Sequence, residues 1–208
     1  MKPARVTVLA SGGGTNLQAL LDTLAASPLA RVTRVVSNRP DAGALERARR
    51  AGVPTTVLRE PGDAAEVLAA LEGTDLAVLA GYLKLVPRAV VARFRYRMIN
   101  IHPALLAAFG GSGVYGLRAH EAVLASGALI SGVTVHYVNE EYDRGPILAQ
   151  WPVPVHNGDT SETLAARVLA IEHQLLPLVV QALARLGVPE RPLRLFPDVD
   201  AFGTAVEI

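Results

Sequence analysis

The first half of the chain alternates short β-branched apolar runs with stretches whose apolar residues recur at helical spacing. The apolar runs predict strands at 6–10, 32–37, 55–58, 76–80 and 98–101. Between these strands the pattern predicts helices at 16–26, 42–51, 64–71 and 87–93. Because several of the strands are apolar on both faces, we expect a Rossmann-like α/β fold, a mostly parallel sheet flanked by helices.

The second half of the chain follows a different pattern. Beyond a glycine-rich loop at 110–116, the sequence predicts a helix at 117–125 and strands at 132–137 and 147–155. The acidic turn between those two strands indicates that they are antiparallel and extend the sheet.

A long helix is predicted to follow and to end near Leu186. Asp159, Thr160 or Ser161 is expected to cap it, and Pro177 is expected to kink it.

A single domain is predicted for residues 1–208, because no linker or repeat divides them. Within it, residues 1–101 form an α/β half, and residues 102–190 form a second half with a different pattern. Residues 191–208 form a tail with no assigned role.

Composition removes several classes of function. The 208 residues include 20 Lys and Arg against 19 Asp and Glu, 5 His and no Cys, so thiolate metal sites, disulfides and cysteine nucleophiles are excluded. A net charge of +1 with few aromatic residues does not fit a nucleic-acid binder. The first ten residues are too short an apolar run for a secretory leader, and the run at 76–83 is too short to span a membrane. We therefore expect a cytoplasmic protein with neither a nucleic-acid nor a membrane partner.

A glycine-rich loop, 11–16, joins the first strand to the first helix. Glycines let backbone amides approach an anion, and the helix amino terminus adds its dipole, so the loop predicts a phosphate site. Leu17 stands where a dinucleotide-binding loop has its third glycine, and Asn38 and Arg39 end the second strand in place of an acidic residue. No Gly-Lys-Ser/Thr follows either, so the phosphate is expected to belong to a substrate and not to NAD or ATP.

A second group of polar residues follows the fifth strand. Alternation places Asn100 and His102 on the same side of that strand, and Pro103 holds His102 extended. An amide beside an imidazole suits acyl transfer, in which one stabilises an oxyanion and the other moves a proton. Asp143, before Arg-Gly-Pro, is the candidate for a fixed carboxylate, which beside His102 would raise the pKa of that imidazole.

These motifs resemble the folate-dependent formyltransferases over residues 6 to about 183. The resemblance is carried by Ser-Gly-Gly-Gly-Thr-Asn-Leu-Gln at 11–18, Ser-Asn-Arg at 37–39, Leu-Ala-Gly-Tyr-Leu at 79–83, Asn-Ile-His-Pro-Ala-Leu-Leu at 100–106 and Asp-Arg-Gly-Pro at 143–146. It implies a formyltransferase fold and the transfer of a formyl group from 10-formyltetrahydrofolate, as co-substrate, to the amine of phosphoribosylglycinamide in purine synthesis. No metal is implied.

The resemblance also implies the roles of the two halves and of individual residues. It implies that 1–101 bind the phosphorylated substrate and that 102–190 form the folate-binding and catalytic half. As catalytic residues it implies Asn100, His102 and Asp143. For the phosphorylated substrate it implies Gly14, Thr15, Asn16 and Glu172. For the folate it implies Leu83, Lys84, Leu85, Val86 and Asn100.

Other interpretations remain open from the sequence. A formyltetrahydrofolate hydrolase would use water as the acceptor, but such enzymes carry an added amino-terminal domain that this sequence does not show. A methionyl-tRNA formyltransferase would need an added domain and a basic surface. A non-catalytic phosphate- or folate-binding module would not need Asn100, His102 and Asp143.

The remaining histidines and the oligomeric state are less defined by the sequence. His136 is equally consistent with a structural role and a place in the site, whereas His120, His156 and His173 are expected to be structural. A metal cluster of His102, His136 and Asp143 matches no standard ligand spacing, so none is expected. The chain is expected to be a monomer or a homodimer.

Overall fold

The fold is built on one mixed sheet. The computed structural model describes residues 2–111, 113, 116–187, 191–195 and, for the backbone alone, 205–207. The sheet has the order β3-β2-β1-β4-β5-β6-β7, with strands β1 (Ala4–Leu9), β2 (Ala30–Ser37), β3 (Thr55–Val57), β4 (Leu76–Leu79), β5 (Met98–His102), β6 (Ile130–Tyr137) and β7 (Ile147–Pro154). Strands β1 to β5 are parallel, whereas β6 and β7 are antiparallel, which confirms the predicted fold class.

Helices connect the strands close to the predicted positions. They are α1 (Thr15–Leu24), α2 (Gly43–Arg50), α3 (Ala64–Ala70), α4 (Arg88–Arg93), α5 (Leu117–Ala125) and α6 (Ser161–Leu186). Thr160 caps α6 by accepting a hydrogen bond from the Thr163 amide, and Pro177 lies inside that helix. Of the glycine-rich loop 110–116, residues 112, 114 and 115 lie outside the described residues.

The tail carries a short second sheet. Strands β8 (Leu193–Leu195) and β9 (Ala205–Glu207) pair antiparallel, and Leu193 and Leu195 are buried in the main core. The rest of the region for which no role was predicted, 196–204 and 208, lies outside the described residues.

Helix α6 is the one described helix that is long and apolar enough to cross a membrane by length and composition. Seven of its apolar residues are buried against the sheet and neighbouring helices: Leu164, Val168, Leu175, Leu176, Val179, Val180 and Leu183. In its most apolar window, 44% of the helix is buried.

Two apolar clusters cover the two faces of the sheet. One contains the buried residues of α1, α2, α5 and α6, and the other those of α3 and α4. On β5, Ile99 and Ile101 point into the first cluster and Met98 into the second. Because side chains alternate along a strand, Asn100 and His102 lie on the same face as Met98, as the sequence predicted.

The order of the strands fixes where a ligand site forms. The chain moves outward from β1 to β2 and β3, then returns to place β4 on the other side of β1. At such a switch point the loops that leave adjacent parallel strands diverge and open a crevice at the carboxyl ends. The loop 11–14 and the end of β5 both border this crevice.

Candidate active site

A cavity with a volume of about 690 Å³ lies at this switch point. It joins the two regions that the sequence singled out, because its walls include the glycine loop on one side and the end of β5 on the other. The acidic loop and one face of α6 complete it. Its polar or predicted lining residues are Gly12, Gly13, Gly14, Thr15, Asn16, Tyr82, Leu83, Asn100, His102, His120, Tyr142, Asp143 and Glu172.

The glycine loop has the shape of an anion site. Gly14 has φ +74°, and a Cβ placed on it would lie 2.7 Å from the Ala44 Cα, so only glycine fits where the loop crosses α2. Gly12 and Gly13 face open space, because a Cβ added to either would meet nothing within 4 Å. Helix α1 begins directly afterwards at Thr15, so its first amides face the same cavity.

Arg47 brings a positive charge to this loop. Its Nε donates to the Gly13 carbonyl over 2.8 Å, and its Nη1 donates to the Gln18 side chain over 3.2 Å. Sequence reasoning missed this arginine, since helix α2 gives no sign of which loop its basic residues contact.

Asn16 and Glu172 meet in the wall of the cavity, although 156 positions separate them in the sequence. The Asn16 Nδ2 donates to Glu172 Oε2 over 2.5 Å, while the Asn16 Oδ1 is buried with no partner. Burial raises the pKa of the Glu172 carboxyl, against the opposing hydrogen bond from Asn16. The pair therefore offers a buried carboxyl and an unused amide oxygen to a polar ligand.

Asn100, His102 and Asp143 are brought together at the other end of the cavity. The Nδ1 of His102 lies 3.5 Å from Oδ2 of Asp143, and the Nδ2 of Asn100 lies 3.4 Å from Oδ1 of the same carboxylate. Asp143 reaches them from the loop between β6 and β7. The amide, the imidazole and the carboxylate thus form one group, a proximity that the sequence alone left open.

The expected rise in the pKa of His102 is wrong. Burial, the largest influence, lowers the pKa of this imidazole, and the attraction of Asp143 and the Phe109 carbonyl only partly opposes it. The geometry agrees with a neutral ring. The Nε2 atom lies 2.6 Å from the Phe109 carbonyl and must donate to it, whereas 3.5 Å to Asp143 is too long for a hydrogen bond from Nδ1.

Asp143 is held as an ionised carboxylate. Burial, the largest influence, acts to raise its pKa, but the polar groups around the carboxyl lower it, among them the Gly111 amide, which donates to Oδ2 over 3.0 Å. Its backbone has φ +55°, a conformation that Asp tolerates better than most residues. Two residues later, a Cβ on Gly145 would overlap the Tyr137 carbonyl, so glycine is required for the loop to return to β7.

Three further histidines lie in or near the site region. His136 pairs with Asn100 across β5 and β6, and its Nε2 lies 3.0 Å from Asn100 Nδ2. His120, expected to be structural, lines the cavity with its Nδ1 buried and without a partner, and burial lowers its pKa. His173 also has a buried Nε2 without a partner, next to Glu172 on α6.

The segment 83–86, expected to border the folate, is divided by the fold. Leu83 lines the cavity and is 48% exposed, and its amide donates to the Ser11 hydroxyl over 2.9 Å. Val86 is buried in the core beside α4, whereas Lys84 and Leu85 are exposed. Of these four residues only Leu83 lines the cavity, so a contact of the other three with a ligand stays a prediction.

The described residues contain no group of three His, Asp or Glu side chains arranged to hold a metal ion. The side chains of His102, His136 and Asp143 lie close together. However, the Nε2 of His136 is hydrogen-bonded to Asn100, and the Nε2 of His102 faces the Phe109 carbonyl.

The fold and the site fit a group-transfer enzyme, with a glycine-rich loop at one end of the cavity and Asn100, His102 and Asp143 at the other. The sequence profile of the formyl transferase family matches residues 4–180, and the chain belongs to that family.

The chain is similar to relatives that carry a narrower name. It is 38% identical over 185 residues to phosphoribosylglycinamide formyltransferase of Escherichia coli, covering 84% of each chain. It is 47% identical over 189 residues to the chloroplastic phosphoribosylglycinamide formyltransferase of Arabidopsis thaliana, covering 86% of this chain. The crystal structure of phosphoribosylglycinamide formyltransferase from Anaplasma phagocytophilum superimposes with a TM-score of 0.82 at 37% identity, covering 95% of this chain and 100% of that one.

The coverage differs between these relatives. The chain spans 65% of the length of the Arabidopsis protein and 19% of the trifunctional purine biosynthetic protein adenosine-3 of Bos taurus, to which it is 43% identical.

Proposed function

We propose that the protein transfers the formyl group of 10-formyltetrahydrofolate to the amine of N1-(5-phospho-D-ribosyl)glycinamide, giving formylglycinamide ribonucleotide in purine biosynthesis. The observation that carries this proposal is the single cavity that joins an anion-binding glycine loop to Asn100, His102 and Asp143. The names of the relatives support it.

The phosphate of the acceptor fits the glycine loop. Gly12 and Gly13 leave room for an anion, α1 directs its first amides toward it, and Arg47 adds a positive charge behind the loop. Beyond the phosphate, the buried Asn16–Glu172 pair suits the hydroxyl groups of the ribose, because it offers both an amide oxygen and a carboxyl. This arrangement directs the glycinamide amine toward the end of β5.

The chemistry is a direct transfer. The neutral amine attacks the formyl carbon, a carbon–nitrogen bond forms, and the carbonyl oxygen becomes an oxyanion. The Nδ2 of Asn100 and the Nε2–H of His102 are the donors for that oxyanion, once His102 exchanges the Phe109 carbonyl for the substrate. The bond from the formyl carbon to the folate nitrogen then breaks, and the proton lost by the amine ends on that nitrogen.

A neutral His102 suits this role. Its lowered pKa leaves Nδ1 unprotonated near neutral pH, so Nδ1 can take up the proton of the amine through water and return it to the leaving nitrogen, while Nε2–H stays on the oxyanion. Asp143, 3.5 Å away, stabilises the imidazolium that forms for the moment between those steps. Most of the rate gain is assigned to holding the two substrates in register and to donors fixed in advance.

The folate is expected along the side of the cavity that is bordered by Leu83, Tyr82 and Tyr142. Leu83 and Tyr142 are 48% and 39% exposed, so a planar ring laid against them would bury apolar surface. The roles of Lys84, Leu85 and Val86 remain part of this proposal, as do a monomer or homodimer and a cytoplasmic location.

The test is a spectrophotometric assay of the purified protein with 10-formyltetrahydrofolate, in the presence and absence of phosphoribosylglycinamide. We expect deformylated folate only when phosphoribosylglycinamide is present. Equal release with water alone would replace the proposal by a hydrolase, and no release from folded protein would refute it.

A matched pair of variants links the activity to the site. His102→Ala should lose turnover while still binding both substrates, and His156→Ala, which changes an exposed histidine, should behave as the wild type. Loss of binding without a specific loss of turnover in His102→Ala would instead favour a non-catalytic binding module.

A further inference from the structure

His136 lies directly behind the catalytic group and does not line the cavity. It is 3% exposed, and the antiparallel register of β5 and β6 places it opposite Asn100. Its Nε2 lies 3.0 Å from the Asn100 Nδ2 and 3.6 Å from Oδ1 of Asp143. Any effect of His136 on a reaction in the cavity must therefore pass through one of these two neighbours.

The backbone determines which nitrogen of His136 carries the proton. The Nδ1 atom lies 2.9 Å from the carbonyl oxygen of Tyr137. A carbonyl oxygen can only accept, so Nδ1 is the donor in this pair and carries the hydrogen. In the neutral imidazole the other nitrogen, Nε2, then has a free lone pair and can only accept.

This tautomer in turn fixes the carboxamide of Asn100. A side-chain amide has a donor end and an acceptor end of nearly equal size, so packing alone does not distinguish its two orientations. With a lone pair on Nε2, the NH₂ end of Asn100 must face His136, because the Oδ1 end would place two lone pairs 3.0 Å apart. One hydrogen of Nδ2 is used in this bond.

The second hydrogen of the Asn100 amide is available to the reaction. Its nearest acceptor is Oδ1 of Asp143 at 3.4 Å, a long contact. Asn100, His102 and Asp143 all border the cavity, so a developing oxyanion can compete for this hydrogen. If the amide turned over, the oxyanion would meet the Asn100 Oδ1, and a donor would become a source of repulsion.

We propose that His136 is a positioning residue that orients Asn100 for oxyanion stabilisation, through a tautomer set by the Tyr137 carbonyl. The inference rests on the proposed function, and it adds to that function the residue that gives Asn100 its direction. It predicts that His136 contributes to kcat and not to substrate binding.

Two substitutions of His136 separate the effect of the Nε2 lone pair from the effect of the ring's volume. In His136→Gln, the Oε1 can reach the place of Nε2 and accept from Asn100, whereas the shorter side chain of His136→Asn reaches only the place of Nδ1. We expect His136→Asn to lower kcat by about 10²-fold, as for the loss of an oxyanion donor, with KM for both substrates changed less than about threefold. The kcat of His136→Gln should be at least about tenfold higher than that of His136→Asn.

A double-mutant cycle with Asn100→Ala tests whether His136 acts through Asn100. Measured in single turnovers, His136→Asn should cost less than about threefold once Asn100 is absent, because coupled residues are not additive. An equal loss in both backgrounds, a change confined to KM, or a His136→Gln variant no better than His136→Asn would overturn the proposal.

The tautomer is measured independently of turnover by histidine ¹⁵N NMR on the wild-type protein at neutral pH. We expect His136 to show a protonated Nδ1 and an unprotonated Nε2, and the opposite tautomer would overturn the inference even if the variants lose activity or fail to fold. Wild-type turnover is measured alongside. Its absence would refute the proposed function, whereas the wrong tautomer in an active enzyme would refute only the role of His136.

Discussion

The Nδ1 of His102 lies 3.5 Å from Oδ2 of Asp143, with the two side chains only 5% and 12% exposed. The carboxylate therefore faces the imidazole without a proton between them in the resting protein. Burial has the larger influence, and it lowers the pKa of His102 despite the negative charge beside it. In the proposed mechanism the pair stabilises an imidazolium that forms during the reaction and not one that is present beforehand.

Removal of the charge on Asp143 should therefore slow the chemical step. Asp143→Asn keeps the size of the side chain and a residue type that tolerates the left-handed backbone at φ +55°. We expect kcat to fall by roughly 10²–10⁴-fold, because proton transfer through His102 loses its counter-charge. The pKa of His102, followed by NMR titration, should move further down.

The matched control for Asp143→Asn is Glu141→Gln, which removes an exposed acid from the same loop. Its kcat should stay within about twofold of the wild type, as for a surface charge. Equal losses in the two variants would mean that the charge of the loop as a whole matters, and would count against a specific His102–Asp143 pair.

The lowered pKa of His102 also predicts a pH dependence of stability. The pKa of His102 is near 6.5 in the unfolded chain and lower in the folded protein. Below pH 6.5 the unfolded chain therefore binds a proton at this residue more readily than the folded protein does. The contribution of His102 to the free energy of unfolding is thus complete above this pH and decreases as the pH falls toward the folded value. Urea unfolding of the wild type and His102→Gln should show the wild type losing stability relative to the variant between about pH 7 and pH 5. A constant difference would contradict the lowered pKa.

Glu172 should show the opposite pH dependence. Its folded pKa is raised above 4.5 by burial, so the wild type loses stability as the pH rises from the unfolded pKa to that folded value. Glu172→Gln, which keeps the partner for Asn16, should be about as stable as the wild type near pH 4 and more stable near pH 7. The gain should be roughly 1.4 kcal/mol for every tenfold difference in proton affinity between the folded and unfolded carboxyl. Urea unfolding at the two pH values measures this gain.

A functional cost should accompany that gain in stability. If the Glu172 carboxyl contacts the ribose, Glu172→Gln should raise KM for phosphoribosylglycinamide while leaving KM for the folate within about twofold, since a charged hydrogen-bond acceptor is lost at one substrate only. A variant that is more stable at neutral pH with both KM values unchanged would remove Glu172 from the substrate site.

The sequence could predict the parts of this site that depend on local pattern. Alternation along one strand was enough to place Asn100 and His102 together, because the side chains of a strand repeat every second residue. The glycines before α1 likewise predict an open loop. The sequence leaves the role of His136 open because that role depends on the register between β5 and β6, and a bulge beside Val135 interrupts the register of β6 with β7.

The charge state of His102 could not be predicted for a different reason. The sequence shows the groups that attract a proton, such as Asp143, but not the depth at which the ring is buried. Here burial outweighs the charge in setting the pKa of His102. The contact of Arg47 with the Gly13 carbonyl also depends on how α2 crosses the loop, which the arginine spacing on one helix does not encode.

The crossing of α2 over the glycine loop leads to a last prediction, on stability. At Gly14 two effects combine, since its φ is +74° and a Cβ would lie 2.7 Å from the Ala44 Cα. Gly52 shares the positive φ, +68°, but has nothing within 4 Å, and Gly13 has neither constraint. Alanine at these three positions therefore separates close approach from backbone strain.

We expect Gly14→Ala to lower the free energy of unfolding by more than about 2 kcal/mol, Gly52→Ala by about 1 kcal/mol, and Gly13→Ala by less than about 0.5 kcal/mol. Urea unfolding at neutral pH gives the three values. If Gly14→Ala and Gly52→Ala cost the same, the backbone conformation alone requires glycine in the loop. If Gly14→Ala costs more, as we expect, the loop is held against α2 by contact, and the same contact places Arg47 behind the proposed phosphate site.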